Sequence, residues 1–252
     1  AAFNDFKSGL EILNNWRLKN TLKNKDKPKL IIATTSGGGL RSALWTYKSI
    51  SHIDSLFGGN FYGNIQFISG SSGGMIGGSY LREVYLKAKT DSTVNPYDTR
   101  HLNNISKDVL NPIAFTMAVS DPFLRYQKFD DGVFEYTKDR GYEFEKQINT
   151  NLDNTLNKRL IEYQQPEKEA IIPMMILSPT IANDGRKLLI SAQDIAYMTN
   201  TNIKSGIDHN FMTDNVEFRK LLKDQWADSI RFSSALRMSA TFPYVMINAS
   251  LP

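Results

Sequence analysis

At 252 residues the chain can bury a sizeable core and sits near the upper end of what one domain usually holds, so a single domain is expected. With 41% hydrophobic and 22% charged residues and ordinary glycine and proline usage, the composition is globular and excludes disordered, collagenous and low-complexity chains. The absence of cysteine excludes disulfides, thiolate metal sites and cysteine nucleophiles, and a formal charge of +4 reads first as a solvated face and only second as attraction to an anionic surface.

The first sixteen residues place Phe3, Phe6, Leu10, Ile12, Leu13 and Trp16 at spacings that predict a short amphipathic helix. They lack the charged start and apolar middle of a signal peptide, and no apolar run reaches the roughly 18 residues of a membrane span, so a soluble or membrane-peripheral chain is expected. The compartment stays open, with the cytoplasm favoured. The chain does not begin with methionine, which fits a processed or trimmed piece. In RLKNTLKNKDKPK the cations Arg17, Lys19, Lys23, Lys25, Lys27 and Lys29 meet only Asp26, and Pro28 closes the stretch. A basic linker is the first reading and a peripheral patch against anionic membrane the second. Residues 1–29 are therefore set apart as helix and linker, and residues 30–252 as the main domain.

Leu30 to Thr34 is short, apolar and β-branched, the pattern of a buried parallel strand, and it runs into SGGGLRSALWTYKSISHIDSLF. There Ala43, Tyr47, Ile50, Ile53 and Phe57 recur at helical spacing and predict one sheet-facing side. Asn64 to Ile68 reads as a second strand, followed by SGSSGG and the helical pattern MIGGSYLREVYLKA. Strand, glycine turn and helix, repeated, imply a parallel sheet. Residues 91–140, interrupted by Pro96, Pro112 and Pro122, read as a loop-rich insertion or lid. Farther on, residues 141–151 predict a helix, Ala170–Leu177 and Arg186–Ser191 two strands joined as a hairpin through Asn183-Asp184-Gly185, and Val216–Trp226 and Ser229–Met238 two helices.

The chemistry concentrates at two turns. Gly70-Ser71-Ser72-Gly73-Gly74 is a G-x-S-x-G where a strand ends and a helix begins, as a serine nucleophile requires if a sharp turn is to lift its hydroxyl off the sheet. The plain alternative is a serine-rich turn that only caps the helix. Ser36-Gly37-Gly38-Gly39-Leu40-Arg41 stands at the exit of the preceding strand, where consecutive exposed N–H groups can hold the oxyanion of acyl transfer. Arg41, in the first helical turn, would orient that loop or meet a phosphate-bearing substrate. A nucleotide-binding loop fits less well, because Ser42 takes the third glycine position of G-x-G-x-x-G and no Walker lysine follows.

The segments SGGGLRSA and FISGSSGG resemble the glycine-rich loop and nucleophile elbow of patatin-like phospholipases, and the serine before the glycines resembles that of the related cytosolic phospholipases. Ala235 to Met246, ALRMSATFPYVM, resembles a helix end late in the patatin domain, so the likeness spans about residues 30–248. It implies a three-layer α/β/α fold with a mainly parallel central sheet and a Ser-Asp dyad that hydrolyses phospholipid or other acyl-lipid esters, with no cofactor or metal. Carried onto this chain, Ser72 is the nucleophile, Gly37, Gly38, Gly39 and Arg41 form the oxyanion loop, and Gly70 and Gly74 shape the elbow. In the family the aspartate sits in an Asp-Gly pair soon after the Phe-Pro segment. This sequence stops at Pro252, so the partner is expected beyond it and the domain to be truncated at its C-terminal end.

Asp131-Gly132 and Asp184-Gly185 are weighed as turns first and as bases second. An ordinary hydrolase triad of Ser72, Asp184 or Asp194, and His209 falls in the required order, although His52, His101 and His209 all read first as structural or solvated. A non-catalytic lipid-binding module on the same fold is the remaining alternative. Met174, Met175 and the aromatics of residues 115–136 are candidates for an acyl pocket or for plain core. Asp91, Asp130 and Asp131 lack metal-ligand spacing, and no nucleic-acid motif is visible.

Overall fold

The structure, a computed structural model, describes residues 2–23, 27–120, 127–132, 134–199, 214–223, 226–242 and 244–249. Its centre is a parallel sheet in the order β1 (Ile31–Thr35), β2 (Ile65–Gly70) and β5 (Met174–Leu177). Side chains alternate across a strand, and this alternation sorts the core into two clusters. Ile68, Met175 and Leu177 pack with Ala43, Tyr47, Met75 and Leu81 under α2 (Gly39–Leu56) and α3 (Ser72–Lys87). Met174 and Ile176, with Phe67 beside them, pack on the opposite face with Ile12 of α1 (Ala2–Lys23) and with Leu189 and Ile195. The result is an α/β fold with helices on both faces of a parallel sheet. The third layer is the N-terminal helix, which the sequence pattern set apart from the main domain. Lys220 Nζ on Asp5 Oδ2 at 2.8 Å ties it down further.

That helix also runs on to Lys23, so Arg17 and Lys19 are helical and do not belong to a linker. The cations project from it: Arg17 donates to Asn14 Oδ1, and Lys19 Nζ to the Ala170 carbonyl at 2.5 Å. On α2 the buried side is Ala43, Thr46, Tyr47, Ser51 and Asp54, while Phe57 is exposed and Ile50 and Ile53 are half-buried. Asp54 decides this. Its carboxylate accepts from the Phe61 and Tyr62 amides and from the Tyr85 and Tyr97 hydroxyls, which makes a buried polar side chain satisfied.

The region expected to be loop-rich carries α4 (Thr99–Ser106), α5 (Leu110–Phe115) and a hairpin of β3 (Lys128–Asp131) with β4 (Phe134–Thr137). Asp139 accepts from the Tyr142 amide and caps α6 (Arg140–Asn151). After α7 (Gln164–Lys168), antiparallel bridges Leu177–Ile190 and Thr180–Lys187 join the two predicted strands as a hairpin, while β6 (Lys187–Leu189) pairs in parallel with β7 (Asn215–Glu217). The helix expected over Val216–Trp226 is instead β7 followed by the short α8 (Phe218–Leu221), because the Glu217 carboxylate accepts from the Arg219 and Lys220 amides and starts the helix there. The last helix, α9, is Phe232–Ala240 and packs on α3 and α6.

Candidate active site

Thr35 and Gly70 are register partners, so β1 and β2 end side by side and the two glycine-rich turns leave the sheet together. Ligands of open α/β sheets bind at this end of the strands. Gly70 is at φ +147°, and a β-carbon on it would fall 1.9 Å from the Thr35 carbonyl oxygen. Only glycine fits a turn this tight. Two residues on, Ser72 opens α3 at φ +54°, in the left-handed region that L-residues avoid and that costs on the order of 1–3 kcal/mol. A strained strand-to-helix turn of this kind can present a hydroxyl above a sheet. Ser72 is half-buried and so reachable from solvent. Gly74 lets the helix approach the first loop, since a β-carbon there would lie 2.5 Å from the Ser36 carbonyl oxygen.

Ser36, Gly37, Gly38 and Gly39 are exposed above the end of β1. Gly37 sits against the serine: a β-carbon on it would lie 3.3 Å from Ser72 Cβ and 3.9 Å from Ser72 Oγ. Gly38 (φ +143°) turns the chain and Gly39 (φ +61°) starts α2, whose first-turn amides have no intrahelical acceptor. Ser42 Oγ donates to the Ser36 carbonyl at 2.5 Å and closes the loop from below. Arg41 is exposed on the first turn of α2 and makes no hydrogen bond to the described residues.

Two contributors were missed in the sequence. Ser42 was noticed only as a misfit to a nucleotide-binding pattern. Ser239, inside the quoted segment ALRMSATFPYVM, accepts a hydrogen bond from the Ser72 amide at 3.4 Å. It brings the end of α9 onto the Ser72 turn, so all three segments meet at one place. A cavity of about 590 Å³ opens there, lined by Ser71, Ser178, Pro179, Thr180, Ser239 and Tyr244 among others.

The weighed aspartates are engaged with arginines. Asp131 holds Arg159 through two hydrogen bonds and Arg231 at 3.0 Å; burial pushes its carboxyl up, but the two guanidiniums outweigh this and hold it below the usual carboxylate range. Asp184 is engaged with Arg186 in its own turn, and Asp194 pairs with Arg219 at 3.2 Å. His52 is exposed on α2. His101 is buried with both ring nitrogens in use, Nδ1 with Tyr80 Oη at 2.8 Å and Nε2 with the Asn95 carbonyl at 3.1 Å; burial draws its pKa down. His209 lies outside the described residues. Among the described residues, no carboxylate or imidazole hydrogen-bonds the Ser72 hydroxyl. Met174 and Met175 are core residues on opposite faces of β5 and do not line the cavity beside Ser71.

No family model and no curated protein matches the chain. Among solved structures it is similar to human GIVD cytosolic phospholipase A2. The complex of that protein with methyl gamma-linolenyl fluorophosphonate aligns at a TM-score of 0.46 and 14% identity, over 74% of this chain and 27% of the other. A further complex with the same inhibitor and terbium chloride aligns at 0.46 and 12%, over 74% and 28%, and the human protein described without an inhibitor at 0.43 and 12%, over 74% and 26%. The chain thus spans about a quarter of the length of the structures it matches.

Proposed function

We propose that the chain is a serine acyl hydrolase acting on phospholipid or other acyl-lipid esters, in which Ser72 attacks the ester carbonyl. The observation that carries this reading is the left-handed Ser72 at the end of β2, with the Gly37–Gly39 loop against it and a cavity beside it. An aspartate acts as general base, the role for which neither Asp131 nor Asp184 is disposed, since each is held by arginine. Ser72 Oγ forms the bond to the acyl carbon and the base takes its proton. The tetrahedral oxyanion is met by backbone N–H groups of residues 37–39, and the alcohol leaves with the proton. Water then releases the acyl group by the reverse transfers. Arg41, exposed beside the loop, is placed to meet a substrate phosphate. The likeness to patatin-like phospholipases in these segments supports the same reading.

The test is hydrolysis of p-nitrophenyl esters and of phospholipid vesicles by the full-length protein and by its Ser72→Ala variant. Turnover abolished by the substitution supports the reading. Turnover that survives it removes Ser72 as nucleophile, and no turnover by the full-length protein points to a non-catalytic lipid-binding module.

A further inference from the structure

A second cavity, of about 600 Å³, lies between the β3–β4 hairpin, α9 and the turn before it. Its volume is within the range of roughly 300–1,000 Å³ that commonly encloses a small ligand. Phe129, Tyr136, Tyr142, Trp226 and Ile247 supply large apolar surface around it. Some of this is left uncovered: Trp226 is 67% exposed, and Ile161 and Ile247 are each 40% exposed at the rim. The charged groups in its wall are already matched within the protein. Asp131 holds Arg159 and Arg231, Glu145 holds Arg237, Ser233 and Ser234, Glu135 pairs with Lys128, and Asp139 caps α6. What remains without a partner is apolar surface. An uncharged hydrocarbon chain would bury it without breaking an ion pair, whereas a phosphate or carboxylate would have to compete with Asp131 and Glu145 for the arginines.

The position of the cavity matters as much as its lining. Met238 and Asn248 border both it and the cavity beside Ser71 and Ser239, so the two are neighbours across one side of α9. We infer that the cavity beneath the β3–β4 hairpin takes the distal part of the substrate's acyl chain. The chain passes Met238 from the carbonyl held at Ser72, and Ile161, Leu222 and Trp226 set the preferred length. The hairpin forms one wall, and the Asp131 carboxylate fixes it to Arg159 and Arg231. This rests on the acyl-hydrolase reading of Ser72, and its test separates the two.

Ile161→Trp and Leu222→Trp each fill the cavity from a different side, so that one variant remains if the other fails to fold. In the otherwise unchanged full-length protein, turnover is compared on p-nitrophenyl butyrate, octanoate and palmitate. In parallel, hexyl, octyl and dodecyl ether lysophosphocholines are titrated calorimetrically into Ser72→Ala with and without each filling substitution. The inference predicts affinity rising about fourfold per methylene until the cavity is full. It also predicts that either filling variant lowers the palmitate-to-butyrate ratio by at least about tenfold and flattens the alkyl series. Folded variants with an unchanged ratio and an unchanged series overturn it. If the full-length protein turns over no ester while alkyl affinity still climbs with length and falls on filling, the hydrolase reading fails and the cavity assignment stands.

Discussion

Replacing Gly77 by alanine sets two effects against each other at one position. In the interior of α3 an alanine is worth about 1 kcal/mol more than glycine in helix propensity, so from sequence alone the substitution stabilises. In the structure the added β-carbon would lie 2.1 Å from the Ala43 carbonyl oxygen and 2.9 Å from Ala43 Cα, against an ordinary contact of 3.4 Å or more. The clash is with backbone and cannot be relieved by a rotamer change, so α2 and α3 must part by an amount approaching the 1.3 Å shortfall (3.4 − 2.1). Overpacking of this kind costs about 1–3 kcal/mol. We place it at the upper end, because Ala43, Tyr47, Met75 and Tyr80 are buried between the same helices, and predict a net loss of about 1–2 kcal/mol. At about 2–4 °C per kcal/mol for a chain of this size, Tm falls by several degrees. Because α2 carries the glycine loop and α3 carries Ser72, a shift near 1 Å also misaligns the two, and kcat/KM drops by up to about 10². Urea unfolding followed by circular dichroism reads the stability, and ester turnover reads the alignment. A midpoint unchanged or raised at constant m would refute the close contact on which both effects rest.

Ser42→Ala removes the hydrogen bond that closes the glycine loop; turnover should fall about tenfold while stability changes by no more than about 1 kcal/mol. Asp131→Asn leaves Arg159 and Arg231 facing each other, at a cost of about 1–2 kcal/mol near neutral pH after discounting for their partial exposure. Since Asp131 binds its proton less readily folded than unfolded, its contribution is complete above the unfolded value of about 4 and is lost as pH falls through the lower folded value. Denaturation curves of wild type and variant should therefore converge with acidification, and a constant gap would contradict the ion-pair account. Arg82→Met strands Glu167 in the core, where both partners are 1% exposed, and should cost about 3–5 kcal/mol. Burial already pushes the Glu167 carboxyl up, against the pull of Arg82, and without the arginine the folded chain holds that proton more tightly still. The loss is then smallest below the unfolded carboxyl pKa and grows as pH rises, which unfolding at two pH values checks.

The architecture was legible where local pattern and fold agree. Two β-branched strands ending in glycine turns and opening into helices could form little other than a parallel sheet, and the placement of Ser72 beside Gly37 follows from the Thr35–Gly70 register. The buried side of α2 was not legible, because apolar periodicity favoured Phe57 while four hydrogen bonds to Asp54 turned that face inward. Nor could periodicity show the α1 layer at its full length, since its polar second half is held by long-range bonds such as Asn15 to the Lys168 carbonyl and Lys19 to that of Ala170. The cavities were invisible for a simpler reason. They are made by residues more than a hundred positions apart, such as Phe129 and Ile247 or Ser71 and Tyr244, which only the tertiary fold brings together.

The most direct test of the central claim is intact-mass and peptide-level labelling with an alkyl fluorophosphonate, which reacts with activated serines, on the full-length protein and on its Ser72→Ala variant. The account predicts one adduct, on Ser72, that is absent from the variant. An adduct on any other serine, or a full-length protein that stays unlabelled, would contradict it.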